Sequence, residues 1–130
     1  MRLKDQVCSL ELAKKLKELG VPQESAFYYA VSKFGYTKDG TLFFEKPTPL
    51  EKTHDFLSAF TVAELGEMLP KTLEDEIHVN EHRTIKGWAS RFWKNGFLIE
   101  PPLEANTEAD ARAKMLIYLI EHGLVKPEGK

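Results

Sequence analysis

The sequence predicts an α+β fold: an antiparallel sheet of about four strands in two hairpins, with about three helices packed mainly on one face, in the order α-β-β-α-β-β-α. Three observations lead there. Apolar residues recur at helical spacing in three stretches with start and stop signals. The segments between them are rich in aromatic and β-branched residues, and Asp-Gly or Asn-Gly pairs punctuate them.

The first helix is expected from Ser9 to Gly20. Ser9 suits an N-cap, Leu10, Ala13, Leu16 and Leu19 fall on one face, and Gly20 suits the left-handed residue that ends the last turn. Ser25 to Ser32 and Leu42 to Phe44 then flank Asp39-Gly40, the pattern of a first β-hairpin. Pro47 and Pro49 interrupt any ladder, so residues 45 to 57 read as an exposed connector. Thr61 and Glu64 have capping-box spacing, Leu65, Met68 and Leu69 follow, and Pro70 ends a helix of about two turns.

Ile77 and Val79 alternate with polar neighbours, and Trp88, Ser90 and Phe92 would line one face of a partner strand. A short helix ending at Asn95-Gly96 fits the Trp88 and Phe92 spacing nearly as well, and the β-prone composition tips residues 84 to 95 toward a second hairpin. The last helix opens at Thr107, carries Glu108 and Asp110 in its first turn, buries Ala109, Ala113, Leu116, Ile117 and Ile120, and stops at Gly123. Its second half is apolar nearly all round, which predicts packing into the core against a sheet. Ala13 and Leu19 match Ala63 and Leu69 at an offset of 50, so a duplicated helix-hairpin unit is a second way to read the same order.

The chain has 130 residues, 42% hydrophobic and 29% charged, which fits one globular domain over 1–130 and not a disordered or disulfide-built chain. A chain of this size buries roughly two-thirds of its unfolded surface, enough for a core without staples. The longest apolar run, Met115 to Ile120, is far short of the roughly 20 residues that cross a bilayer. With a charged start and a single cysteine, Cys8, a reducing cytoplasm is the expected setting. Net charge is −2, which excludes a strongly basic nucleic-acid binder. The charge is uneven: residues 45 to 81 hold nine acidic and three basic groups, and residues 82 to 96 hold four basic and no acidic ones.

Three stretches carry a resemblance: Ser9 to Val21 with Phe27-Tyr28-Tyr29, Phe60 to Pro70, and Ala105 to Glu121. Across most of its length the chain resembles a family of small uncharacterised proteins encoded by bacteriophages and prophages. The resemblance implies a phage or prophage setting and assigns no activity, ligand or catalytic residue. It is weakest over the proline-rich connector and residues 71 to 100.

Each candidate for chemistry has an ordinary explanation beside it. His78, Glu81 and His82 have the H-x-x-E-H spacing of a zinc-dependent hydrolase, which needs a helix to bring residues four apart together; Ile77, Val79 and Asn80 favour strand and turn instead. Arg83, Lys86, Arg91 and Lys94 interleave with Trp88, Phe92 and Trp93, as on a single-strand nucleic-acid surface, but an ordinary hairpin places such residues across both faces. Leu12 to Val21 is similar to the start of a helix-turn-helix, with Gly20 too far from Ala13 for the usual turn and a strand-prone segment where a recognition helix belongs. Cys8, His54 and Asp55 are the residue types of a thiol nucleophile, base and orienting acid, yet Cys8 reads as a buried filler. No phosphate-binding glycine loop or zinc-finger spacing occurs.

No residue is therefore assigned a catalytic or metal-ligating role, and no cofactor is expected. The expected function is a non-enzymatic phage or prophage accessory or interaction factor that contacts an unidentified host or phage protein. The contacts expected from exposure and composition are the 45 to 57 connector, Glu74, Asp75 and Glu76, and Arg91 and Trp93. The alternative is a nucleic-acid module using Arg83, Lys86, Arg91 and Lys94. An uncovered sheet edge would allow a homodimer.

Overall fold

The structure, a computed structural model, describes residues 3–32, 41–44, 54–69, 77–84, 87–94, 97–98 and 103–127. In chain order the elements are α1 (Leu3–Gln6), α2 (Leu10–Glu18), β1 (Phe27–Ser32), β2 (Thr41–Phe44), β3 (His54–Ser58), α3 (Val62–Met68), β4 (Ile77–Thr84), β5 (Gly87–Lys94), β6 (Phe97–Leu98), β7 (Leu103–Ala105) and α4 (Glu108–Glu121). The fold is α+β, as the periodicities predict, and both expected hairpins form: β1 pairs antiparallel with β2 and β4 with β5. Residues 87–94 are strand and not helix.

The strands divide between two sheets. One is three-stranded in the order β2-β1-β3; the other runs β4-β5-β6, with β7 also paired to β5. The expectation of an exposed connector from 45 to 57 is corrected at its end. Residues 54–57 belong to β3, Leu57 and Ser58 are buried, and residues 45–53 lie outside the described part. Pro47 and Pro49 precede this strand and so do not block its ladder.

The free side of β3 is closed by side chains. Ala59 N–H donates to Phe27 O, so by alternation Phe56 and Ser58 turn their main-chain groups away from β1. Those groups meet Lys17, whose Nζ donates to Phe56 O at 3.2 Å, and Gln23, whose Oε1 accepts from Ser58 N–H at 2.8 Å. A strand edge that would otherwise recruit another chain is thereby blunted.

Helix α4 is the hub. It packs against β4, β5 and β7 of one sheet and against α1, α2 and α3, while α2 packs on β3 of the other sheet. The small Ala109, Ala111 and Ala113 are fully buried along it, and Met115, Leu116 and Leu119 continue the buried stripe. The core joins these to Leu16 of α2, Leu57 of β3, Phe60, Leu65 of α3 and the segment Val7-Cys8.

The helix starts follow the predicted chemistry with one exception. Thr61 and Glu64 form the full capping box, and Thr107 Oγ1 accepts from Asp110 N–H at 3.1 Å. Ser9 occupies the N-cap position of α2 without a side-chain capping bond; its N–H instead donates to Asp110 Oδ1 at 2.7 Å. Gly20 and Gly123 end α2 and α4 with positive φ, as expected. The 50-residue match does not carry burial with it, since Ala13 is buried and Ala63 is exposed.

Candidate functional site

Residues 7 to 9 draw two helix starts together. Val7 forms a β-bridge with Thr61, Cys8 N–H donates to Phe60 O at 2.9 Å, and Ser9 N–H reaches Asp110 on α4. The segment is thus laced to the beginning of α3 on one side and of α4 on the other. The end of α1 stands beside both, and β5 begins nearby because α4 packs across that sheet.

A cleft of about 910 Å³ opens where these pieces meet. Asp5 and Gln6 of α1 form one side, Thr61, Val62 and Ala63 another, Gly87 and Trp88 of β5 a third, and Asn106, Thr107, Glu108 and Arg112 the fourth. Its size falls within the range of small-molecule and cofactor pockets, roughly 300–1,000 Å³.

Three features give the cleft its chemistry. Trp88 is half-buried and lines the opening. Its backbone pairs with Ala105, and this approach requires the preceding glycine: a Cβ on Gly87, at φ 153°, would overlap Ala105 O and meet Asn106 Cα at 3.2 Å. Arg112 crosses from α4 to α3, where Nη1 donates to Val62 O at 2.7 Å; its Nη2 lies 3.9 Å from Glu108 Oε1. Among the described lining residues Arg112 is the one cation, set with Asp5 and Glu108.

Behind the cleft lies a buried polar group of a different kind. Tyr29 O–H donates to Cys8 O at 2.7 Å, and burial pushes the Cys8 thiol up to about 12, partly offset by its bond with the Phe60 backbone. Burial likewise raises the Tyr29 phenol and the Asp110 carboxyl, the latter against the lowering effect of the Ser9 hydrogen bond. A thiol held neutral in this way is a poor nucleophile. Asp55 is exposed on β3, whereas Cys8 is fully buried, so the residues suggested for thiol catalysis occupy different environments.

The other candidates fall as follows. His78, Glu81 and His82 lie on β4, where residues four apart are separated by about 13 Å of strand, so the helix that the zinc motif demands is absent. Residues 27–32 are strand, which removes the second helix of a helix-turn-helix. Arg83 lies on β4 directly across from Trp88, and Arg91, Trp93 and Lys94 lie on β5. Glu74, Asp75, Glu76 and Lys86 lie outside the described residues. Among the described residues no group of three or more His, Cys, Asp or Glu is placed to hold a metal ion.

Trp88 stood out in the sequence as part of the basic aromatic segment. Arg112 did not, because a single arginine on an amphipathic helix is the usual solvent-facing residue. No family model matches the chain, and none of the curated proteins or solved structures matches it.

Proposed function

We propose that the chain is a non-enzymatic accessory factor of a phage or prophage that works by binding a partner protein, and that the cleft between α1, α3, β5 and α4 receives a segment of that partner. The observation that carries this reading is the half-buried Trp88 in the same opening as Arg112. Tryptophan and arginine are the residue types that most often dominate protein interfaces, and a concave setting sheds water around them. Among the described lining residues the cleft carries charges of both signs, Arg112 with Asp5 and Glu108. That suits a neutral polypeptide segment better than a phosphate backbone.

Selection of displayed random peptides against the wild-type chain, with counter-selection on Trp88→Ala, tests the reading. Recovered peptides should bind the wild type, lose at least about tenfold in affinity on Trp88→Ala or Arg112→Ala, and depend weakly on salt. Peptides that bind all three proteins equally would remove the cleft from consideration.

The nucleic-acid alternative has one observation in its favour, the cross-strand placement of Arg83 opposite Trp88. If that alternative holds, labelled single-stranded DNA or RNA should bind at low salt and be released steeply as salt rises.

A further inference from the structure

Gly87 opens β5 at φ 153°, a backbone conformation that residues with a Cβ rarely adopt, and it lines the cleft next to Trp88. The side on which a Cβ would stand is closed. That Cβ would overlap Ala105 O and lie 3.2 Å from Asn106 Cα and 3.3 Å from Ala105 C, all main-chain atoms that cannot swing aside as the end of a side chain does. Ala105 is the last residue of β7, and Asn106 and Thr107 lead from it into the first turn of α4. Two walls of the cleft therefore meet at the bare α-carbon: Gly87 and Trp88 on one side, Asn106, Thr107 and Glu108 on the other.

We infer that Gly87 is a positioning residue for the cleft: the absence of a side chain there sets the spacing between Trp88 and the start of α4, and so the width of the opening that receives the partner segment. This rests on the reading of the cleft as a partner site. Strand β7 is the fixed side of the join. Its Leu103 and Glu104 pair with Ser90 and Ala89, Lys114 Nζ donates to Glu104 O at 2.6 Å, and Thr107 Oγ1 accepts from Asp110 N–H in the first turn of α4. Ala89 is fully buried, which anchors β5 immediately after Trp88. A side chain at position 87 is accommodated by the first residues of β5 moving away from Ala105, and Trp88 moves with them. A spacing set in advance also spares the partner the cost of ordering the two walls.

Trp88 reports the join in a Trp93→Phe background, where it is the one tryptophan of the chain. There Gly87→Ala should shift its emission to the red and raise its quenching by acrylamide. Gly123→Ala is the control, because Gly123 also has a positive φ, 69°, but follows the far end of α4 with open space where its Cβ would stand. That variant should lower the melting temperature and leave the Trp88 emission as it was. Unchanged emission in a folded Gly87→Ala protein, or equal changes in both variants, overturns the inference. If Gly87→Ala does not fold, the wild type decides: a nuclear Overhauser contact between the α-protons of Gly87 and Asn106 supports the close approach on which the inference stands, and its absence overturns it.

The partner arm uses a peptide from the display selection. Gly87→Ala should weaken it several-fold, and Gly123→Ala should leave its affinity unchanged. A peptide that requires Trp88 but binds Gly87→Ala as tightly as the wild type overturns the positioning role and leaves the cleft standing. One that ignores Trp88→Ala contradicts the cleft itself, and the emission comparison still decides whether Gly87 sets the spacing.

Discussion

Cys8 and Ser58 are both fully buried, and their polar atoms fare differently. Burial holds the Cys8 thiol neutral, with its pKa moved from 9.0 to about 12. A raised folded pKa means stability that is complete below about 9 and drains away as pH climbs toward 12, because the unfolded thiol ionises first. The urea midpoint should therefore fall over that interval, and Cys8→Ala should flatten part of the fall; the raised Tyr29 phenol adds to it in the same direction. A midpoint constant to pH 11 would contradict the burial of both groups. Ser58 Oγ has no hydrogen-bond partner among the described residues. Removing an unsatisfied buried hydroxyl costs little and can stabilise, so Ser58→Ala should change the unfolding free energy by between zero and about +1 kcal/mol. Denaturant titration showing a loss above about 1 kcal/mol would mean that the hydroxyl is satisfied after all.

At the scale of elements, short helices need their ends tied. Helix α3 has seven residues, too few to persist alone in water, so its start depends on the capping box. Thr61→Ala should cost about 1 kcal/mol. Glu64→Ala should cost more, near 2 kcal/mol, since one carboxylate accepts from Thr61 N–H at 2.9 Å and from Ala26 N–H at 3.0 Å and so ties α3 to the chain before β1. Equal costs for the two variants would show that the Ala26 contact contributes nothing. The edge of β3 is similarly dependent on distant side chains. Gln23→Ala should expose Ser58 N–H and, with Lys17→Ala, raise concentration-dependent association measured by sedimentation, because an uncovered edge is a template for another strand.

The same distance in sequence explains what could be read in advance. The capping box, both hairpins and the long buried helix were legible because each is a local pattern: Thr61 with Glu64, the β-prone residues of β1 and β5, and the stripe of Ala109, Ala113, Leu116 and Ile117, although Ile120, read on the same stripe, is only half-buried. Strand β3 was not, since its edge is completed by Lys17, 39 residues away, and by Gln23, 35 residues away. Ser9 does take the N-cap position of α2 that the sequence predicts, without the capping side-chain bond. Its local cap signal is real, but its N–H bonds to Asp110, 101 residues on.

Across the whole molecule, the long-range bonds converge on α4. Ser9 and Val62 reach it through Asp110 and Arg112, while Lys114 Nζ reaches Glu104 O at 2.6 Å. The cleft exists because these ties hold the starts of α3 and α4, the end of α1 and the first residues of β5 around one opening. Its walls come from four stretches far apart in sequence, so no single motif announced it. Two of its residues, Trp88 and Gly87, fell within a segment whose composition pointed to nucleic acid instead.

Amide and indole chemical-shift mapping, as an uncharged display-selected peptide is titrated into the isotope-labelled chain, tests the partner site most directly. The account predicts saturable shifts of the Trp88 indole together with Gln6, Ala63, Asn106 and Glu108 amides, and their loss in Arg112→Met. Shifts confined to the β4–β5 residues Asn80, Arg91 and Trp93, with those five signals still, would place the interaction elsewhere and contradict it.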